Sequence, residues 1–194
     1  MPLVKFRARL AQSVYDFLDI GKSPRPADCI FVLSGKQAQR IHGVKLWRSG
    51  YATELILCVG GFEWQDFQNL NLMPDGGLEA FPAEIPPERR HFLVRLSRLE
   101  AFCTPVRIGP LATRSEVSAL SQYLKSLPVR SLLVVSSPAR LRRVAQAFRR
   151  TFRKSGLQLT FVAVPERVSL TSRQARAEIW SEFCKYLLCR AFFL

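Results

Sequence analysis

At 194 residues the chain fits one domain of ordinary size, long enough to bury a core without metal or disulfide support. Its hydrophobic fraction of 48% with 23% charged residues lies near globular averages, which argues against wholesale disorder. The formal net charge of +14 calls for a partner or surroundings rich in anions: nucleic acid, phospholipid headgroups or phosphorylated metabolites.

Leu3, Phe6, Leu10, Val14, Phe17 and Leu18 recur at helical spacing and predict an amphipathic helix within residues 1–22, its polar side basic. Lys5, Arg7, Arg9 and Asp16 break up its apolar residues, leaving no signal-peptide core or membrane span, so a cytoplasmic protein is expected. The same basic helix is a candidate for resting on an anionic membrane surface, peripheral to the inner membrane. Ile30 to Leu33 reads as a strand buried on both faces, ending at Ser34-Gly35. Gln37 to Ser49 reads as a helix stopped by Gly50, and Leu55 to Val59 as a second strand closed by Gly60-Gly61. Strand, glycine turn, helix and strand make a right-handed βαβ unit, so the sheet is parallel here.

Residues 62–87 dissolve into Pro, Gly, Asn and scattered aromatics, a stretch too long for an ordinary connection and a candidate lid. Glu88 to Phe102 reads as a helix, with Phe92, Leu96 and Leu99 on one face and Arg89, Arg90, Arg95 and Arg98 on the other. Val106 to Ile108 is a predicted short strand, and Thr113-x-x-Glu116 a capping box opening a helix to about Leu127. Leu132 to Val135 is the next strand, and Ser136-Ser137-Pro138 starts a helix that carries Leu141, Val144, Ala145, Phe148 and Phe152 inward. Leu159 to Val164 and Gln174 to about Cys189 give the last strand and helix. Together they predict a single doubly wound, mostly parallel Rossmann-like α/β domain of about five strands over residues 1–194, with helices on both faces.

Cys29, Cys58, Cys103, Cys184 and Cys189 form no C-x-x-C pair and read as free thiols of a reducing compartment. His42 and His91 are the only histidines and have no second ligand at metal spacing, so no metal is expected. No G-x-S-x-G elbow is present, and Gly21-Lys22-Ser23 is no P-loop, since Asp16 stands where the first glycine would be.

In an open parallel sheet, ligands bind beyond the carboxyl ends of the strands, where loops present glycine amides and helix amino-termini. Ser34-Gly35-Lys36, Gly60-Gly61 and Ser136-Ser137-Pro138 all follow strands and are expected on that edge. Arg140 and Arg143, in the first turns of the helix after Pro138, are expected to clamp an anion there, while Arg142, Arg149, Arg150 and Arg153 are expected to be solvated. Glycine turns after strands also meet purely geometric needs, so convergence of the three loops is what gives the expectation weight.

Ala27 to Gly35, Arg40, Leu46 to Ala52 and Leu57 to Gly61 follow one another as an ordered set of motifs. That order resembles the bacterial YdcF-like (YdcF/SanA/ElyC-like) family, whose pattern runs A-D-x-I-V-V-L-G-G, a helix arginine, L-Y-R-x-G-x-A and S-G-G. Thr113 to Glu116 falls at its T-x-E-N, and Val135 through Arg143 at its V-T-S-x-x-H-x-x-R. The resemblance covers residues 27–188 and implies a pocket of Gly35, Arg40, Gly60, Gly61, Thr113, Glu116, Ser136, Ser137 and Arg143. It also implies a role in bacterial envelope precursor metabolism and a nucleotide-like ligand such as S-adenosylmethionine. Three departures bear on chemistry: Ser115 replaces the family's acid, Glu116 its asparagine and Arg140 its histidine. Glu116 is then the remaining pocket base, and whether a reaction is catalysed stays open. Two functions follow as expectations: a binder of, or enzyme for, an anionic phosphate- or nucleotide-containing small molecule, or a non-catalytic protein using its basic surface on nucleic acid or membrane.

Overall fold

A computed structural model describes residues 2–60, 91–97, 100–109, 112–166 and 168–192. Gly61 and the candidate lid at 62–87 lie outside the described residues. The elements in chain order are α1 (Pro2–Leu18), β1 (Cys29–Val32), α2 (Gln37–Arg48), β2 (Glu54–Val59), β3 (Phe92–Leu96) and β4 (Ala101–Pro105). They are followed by α3 (Ala112–Leu124), β5 (Ser131–Ser136), α4 (Pro138–Thr151), β6 (Gln158–Ala163) and α5 (Arg173–Phe192). The six strands form one sheet in the order β4-β3-β2-β1-β5-β6. β2, β1, β5 and β6 run parallel, whereas β3 and β4 pair antiparallel at one edge, so the sheet is mixed and one strand larger than expected.

Strand alternation divides the apolar residues between two cores. Phe31, Ile56, Val134 and Phe161 face α3 and α4, meeting Val117, Leu120, Leu141, Val144 and Phe148. Ile30, Val32, Leu57 and Val135 face the other way, against Val44 and Leu46 of α2. Leu18 of α1 packs with Ile179 and Tyr186 of α5, and both helices lie against α4. The chain thus leaves β1 across one face and β5 across the other. Such a reversal leaves a crevice between the carboxyl ends of the two strands. At the opposite edge Asp28 ties β1 to β5 by accepting from the Arg130 and Ser131 amides, at 2.8 Å each, and from the Ser131 hydroxyl at 2.9 Å. These bonds, the Arg130 amide first, hold its carboxyl below the usual range.

The helix expected over Glu88 to Phe102 is instead the hairpin of β3 and β4 in its described part. Phe92, Leu93 and Val94 are all buried, a run that an amphipathic helix would expose on one side but that a strand covered on both faces accommodates. Arg95, expected on the polar side of that helix, and Phe102, expected at its end, are cross-strand partners with the guanidinium 4.9 Å from the ring centre. The strand expected at Val106 to Ile108 falls earlier, at Ala101–Pro105, although the Val106 amide still donates to His91 O at 2.8 Å. All five cysteines are free, with Cys29 and Cys58 buried and Cys184 exposed. Among the described residues no helix is long and apolar enough to cross a membrane.

Gly43 lets α2 approach the sheet closely: a Cβ there would lie 2.3 Å from Val32 Cγ2. Gly43→Ala is expected to lower stability, because overpacking costs about 1–3 kcal/mol whereas alanine's helix propensity returns at most about 1 kcal/mol. A denaturant midpoint equal to or above wild type would contradict this packing.

Candidate functional site

The pairing of Val32 with Val135 brings the residues after β1, Leu33-Ser34-Gly35, alongside Ser136-Ser137 after β5. Two helices begin at this point. α2 starts after Lys36 and α4 after Ser137, and neither N-cap residue bonds its helix through a side chain. Two first turns with their positive dipole ends therefore open on one crevice.

The Ser34-Gly35 turn is held by arginines from two directions. Arg40, only 1% exposed, donates from Nη1 to Gly35 O at 3.0 Å, and Arg140 Nη1 donates to Ser34 O at 3.0 Å. Gly35 has φ +150°, and a Cβ there would lie 2.8 Å from the Arg140 guanidinium and 3.0 Å from Gln39 Oε1. Glycine is thus required by both backbone and neighbours. The Ser34 hydroxyl donates to Oε1 of Glu116, which is fully buried.

Thr113 and Glu116 are one turn apart on α3, as are Arg140 and Arg143 on α4, so the two pairs confront each other. Thr113 lies inside α3, and its hydroxyl accepts from Arg143 Nη1 at 2.8 Å, in place of the capping role expected for it. Arg143 also donates from Nε and Nη2 to Glu182 Oε2 at 3.1 and 2.7 Å, and Lys185 reaches the other carboxylate oxygen at 2.9 Å. Burial alone would raise the Glu182 carboxyl, but the Arg143 charge, with hydrogen bonds from Lys185 and Arg143, outweighs it and leaves the group below its ordinary range.

Ser34, Gly35, Arg40, Glu116 and Arg140 therefore form one bonded cluster, flanked by buried Ser136 and Ser137. Gly60, also buried, follows β2 on the same edge. Lys36 stands at the crevice mouth in an exposed ion pair with Glu178 at 2.7 Å. Arg143, expected as a second anion clamp, has its charge met inside the fold by Glu182. Arg142, expected to be solvated, has its guanidinium 4.0 Å above the Phe17 ring and bonds Phe17 O. Arg140 differs from these. Among the described residues it has no carboxylate partner, and its Nε, like Ser136 Oγ and Gln39 Oε1, is buried without a hydrogen bond.

Sequence reasoning missed Gln39, Glu182 and Glu178. Gln39 follows the Ser34-Gly35 turn by one helical step and could have been found, but the two glutamates reach the site only through the docking of α5. Two hollows border these elements. One, of about 320 Å³, shares Lys36 and Ser137 with the crevice; the other, of about 810 Å³, lies between α3 and the ends of β3 and β4, and none of the predicted site residues lines it. Compared with family models, curated proteins and solved structures, the chain matches none.

Glu182→Gln should destabilise the fold by about 3 kcal/mol at neutral pH, the lower end for breaking a buried pair, since these side chains keep 9–11% exposure. Because the folded carboxyl lies below its unfolded value, its contribution is complete above the unfolded pKa and is lost as pH falls through the folded one. The stability gap between wild type and variant should close in acid. A gap that persists unchanged at low pH would show that the charge of Glu182 is not what stabilises the pair.

Proposed function

We propose that this chain is a YdcF-like, doubly wound, Rossmann-like protein that binds a phosphate-bearing small molecule in the crevice between the ends of β1 and β5. The observation that carries this reading is Arg140: a part-buried guanidinium without a carboxylate partner among the described residues, beside two helix starts that lack side-chain caps. Arg143, by contrast, is neutralised by Glu182. A phosphate would bring negative charge and acceptor oxygens to Arg140 and the first-turn amides, and would accept from the Ser136 hydroxyl. Gln39 could turn its amide to donate as well, since its oxygen and nitrogen are interchangeable by a flip.

Glu116 acts in this reading on Ser34, orienting the turn whose carbonyls face Arg40 and Arg140. It is the acid best placed to serve as a base should a reaction occur there. The motif order supports YdcF-like membership, and Asp28 of the first motif has a structural use, tying β1 to β5. Envelope precursor metabolism and a nucleotide-like ligand such as S-adenosylmethionine rest on that resemblance alone. Arg140 in place of the family's histidine favours anion binding over proton transfer. The polyanion alternative, nucleic acid or membrane on the outer arginines of α4, has less support, because Arg142 and Arg149 lie over the rings of Phe17 and Phe161.

Thermal unfolding with pyrophosphate, AMP and inorganic phosphate tests the reading. At a concentration of about 100 times Kd a bound phosphate adds about 2.7 kcal/mol, which for a chain of this size raises Tm by about 5–10 °C. Arg140→Ala should lose most of the ligand-induced rise relative to its own unliganded Tm, whereas Arg150→Ala should keep it. No rise with any phosphate compound, or equal rises in both variants, would sink the proposal.

A further inference from the structure

The crevice continues into the 320 Å³ cavity, and their common wall is Lys36 and Ser137. Apart from Ala139 in the first turn of α4, the remaining walls come from elements that take no part in the anion site. Tyr15 belongs to α1, Glu166 and Ser169 to the connection after β6, and Glu178 to the second turn of α5. A molecule whose phosphate sits at the start of α4 would have this cavity beside it, and the chemistry there is of another kind.

Among the described lining residues the charged groups are Glu166, Glu178 and Lys36. Lys36 and Glu178 pair at 2.7 Å and compensate each other, leaving Glu166. Its Oε1 is shut off from solvent without a hydrogen-bond donor among the described residues, a costly state for a carboxylate oxygen. The Tyr15 hydroxyl senses that charge. Burial first, then the carboxylates of Asp19, Glu166 and Asp16, push its pKa up to about 12, so it stays protonated and able both to donate and to accept.

The missing partner is therefore a donor. Hydroxyls match the site better than an ammonium group, since most of the other polar lining groups, Tyr15, Ser137, Ser169, Ser172 and Gln174, both donate and accept. An ammonium only donates, and would leave the donor side of those groups unanswered. The volume lies at the low end of the range of about 300–1,000 Å³ seen for small-molecule sites, a size for a single sugar ring beside its phosphate.

We propose that this cavity is a sugar subsite, so that the ligand of the crevice is a sugar phosphate whose ring hydroxyls donate to Glu166 and exchange hydrogen bonds with Tyr15 and Ser169. The inference rests on the anion-binding reading and adds the class of the rest of the ligand. Glu166 is a specificity-determining residue here, because it separates a sugar phosphate from bare phosphate.

Calorimetric titration of the full chain with ribose 5-phosphate, glucose 6-phosphate, phosphoethanolamine and inorganic phosphate tests it. At least one sugar phosphate should bind about tenfold or more tighter than inorganic phosphate, the equivalent of one or two additional hydrogen bonds to a charged group. Glu166→Gln should reduce that ratio to within about threefold while leaving inorganic phosphate binding in place. Ser169→Leu, which fills the cavity without altering its charge, should have the same selective effect. Sugar phosphates binding no tighter than inorganic phosphate would overturn the sugar subsite and leave the anion site standing. Phosphoethanolamine as the tightest of the four would overturn it in favour of an ammonium subsite. If none of the four binds, both the subsite and the anion-binding proposal fall.

Discussion

A guanidinium removed from water must find acceptors, and the turn after β1 is built to supply them. Arg40 is 1% exposed and reaches Gly35 O, while Arg140 reaches Ser34 O from the opposite side of the crevice. Carbonyl oxygens can solvate a cation but cannot neutralise it. The turn is therefore fixed from both sides, with the charge of Arg140 left uncompensated by any carboxylate among the described residues. Gly35 makes the arrangement possible, since a side chain there would occupy the space of the guanidinium and of Gln39.

The rest of the site follows from where that turn is placed. β1 and β5 are the two strands from which the chain departs across opposite faces, so both helix starts, α2 and α4, open beside it. The helix dipoles and Arg140 act in the same direction and give the crevice a preference for negative charge. Arg143, one turn further along α4, is used differently. Its bonds to Thr113 and Glu182 join α3, α4 and α5, and so hold in place the helix that closes the neighbouring cavity. Two arginines one turn apart on the same helix thus have separate tasks, decided by whether a carboxylate stands opposite.

Most of the parallel part of the fold was legible in the chain. Ile30 to Leu33, Leu55 to Val59, Leu132 to Val135 and Leu159 to Val164 are short apolar runs closed by turn residues, and the observed strands differ from them by at most one residue at either end. The antiparallel edge was misread because Phe92, Leu96 and Leu99 are spaced for one helix face, while Phe92 and Leu96 fit one face of a strand equally well. What separates the two possibilities is pairing with β2, a contact between residues more than thirty positions apart. In the site, Ser34, Gly35, Ser136, Ser137 and Arg140 were recoverable from the rule that ligands gather at strand ends. Glu182, Glu178 and Glu166 had no local signal, being ordinary glutamates in or near the last helix.

By itself the sequence determined that the strands would be buried on both faces, that glycine and serine turns would follow them and that the chain would carry a large positive charge. These are properties of neighbouring residues, set by side-chain polarity and backbone freedom. Only the tertiary structure decided which positive charges are neutralised and which are not, because ion pairing depends on distances between elements far apart in the chain. Arg140 and Arg143 are the same residue type one turn apart on α4. The docking of α5 places Glu182 against one of them, and no carboxylate among the described residues pairs with the other.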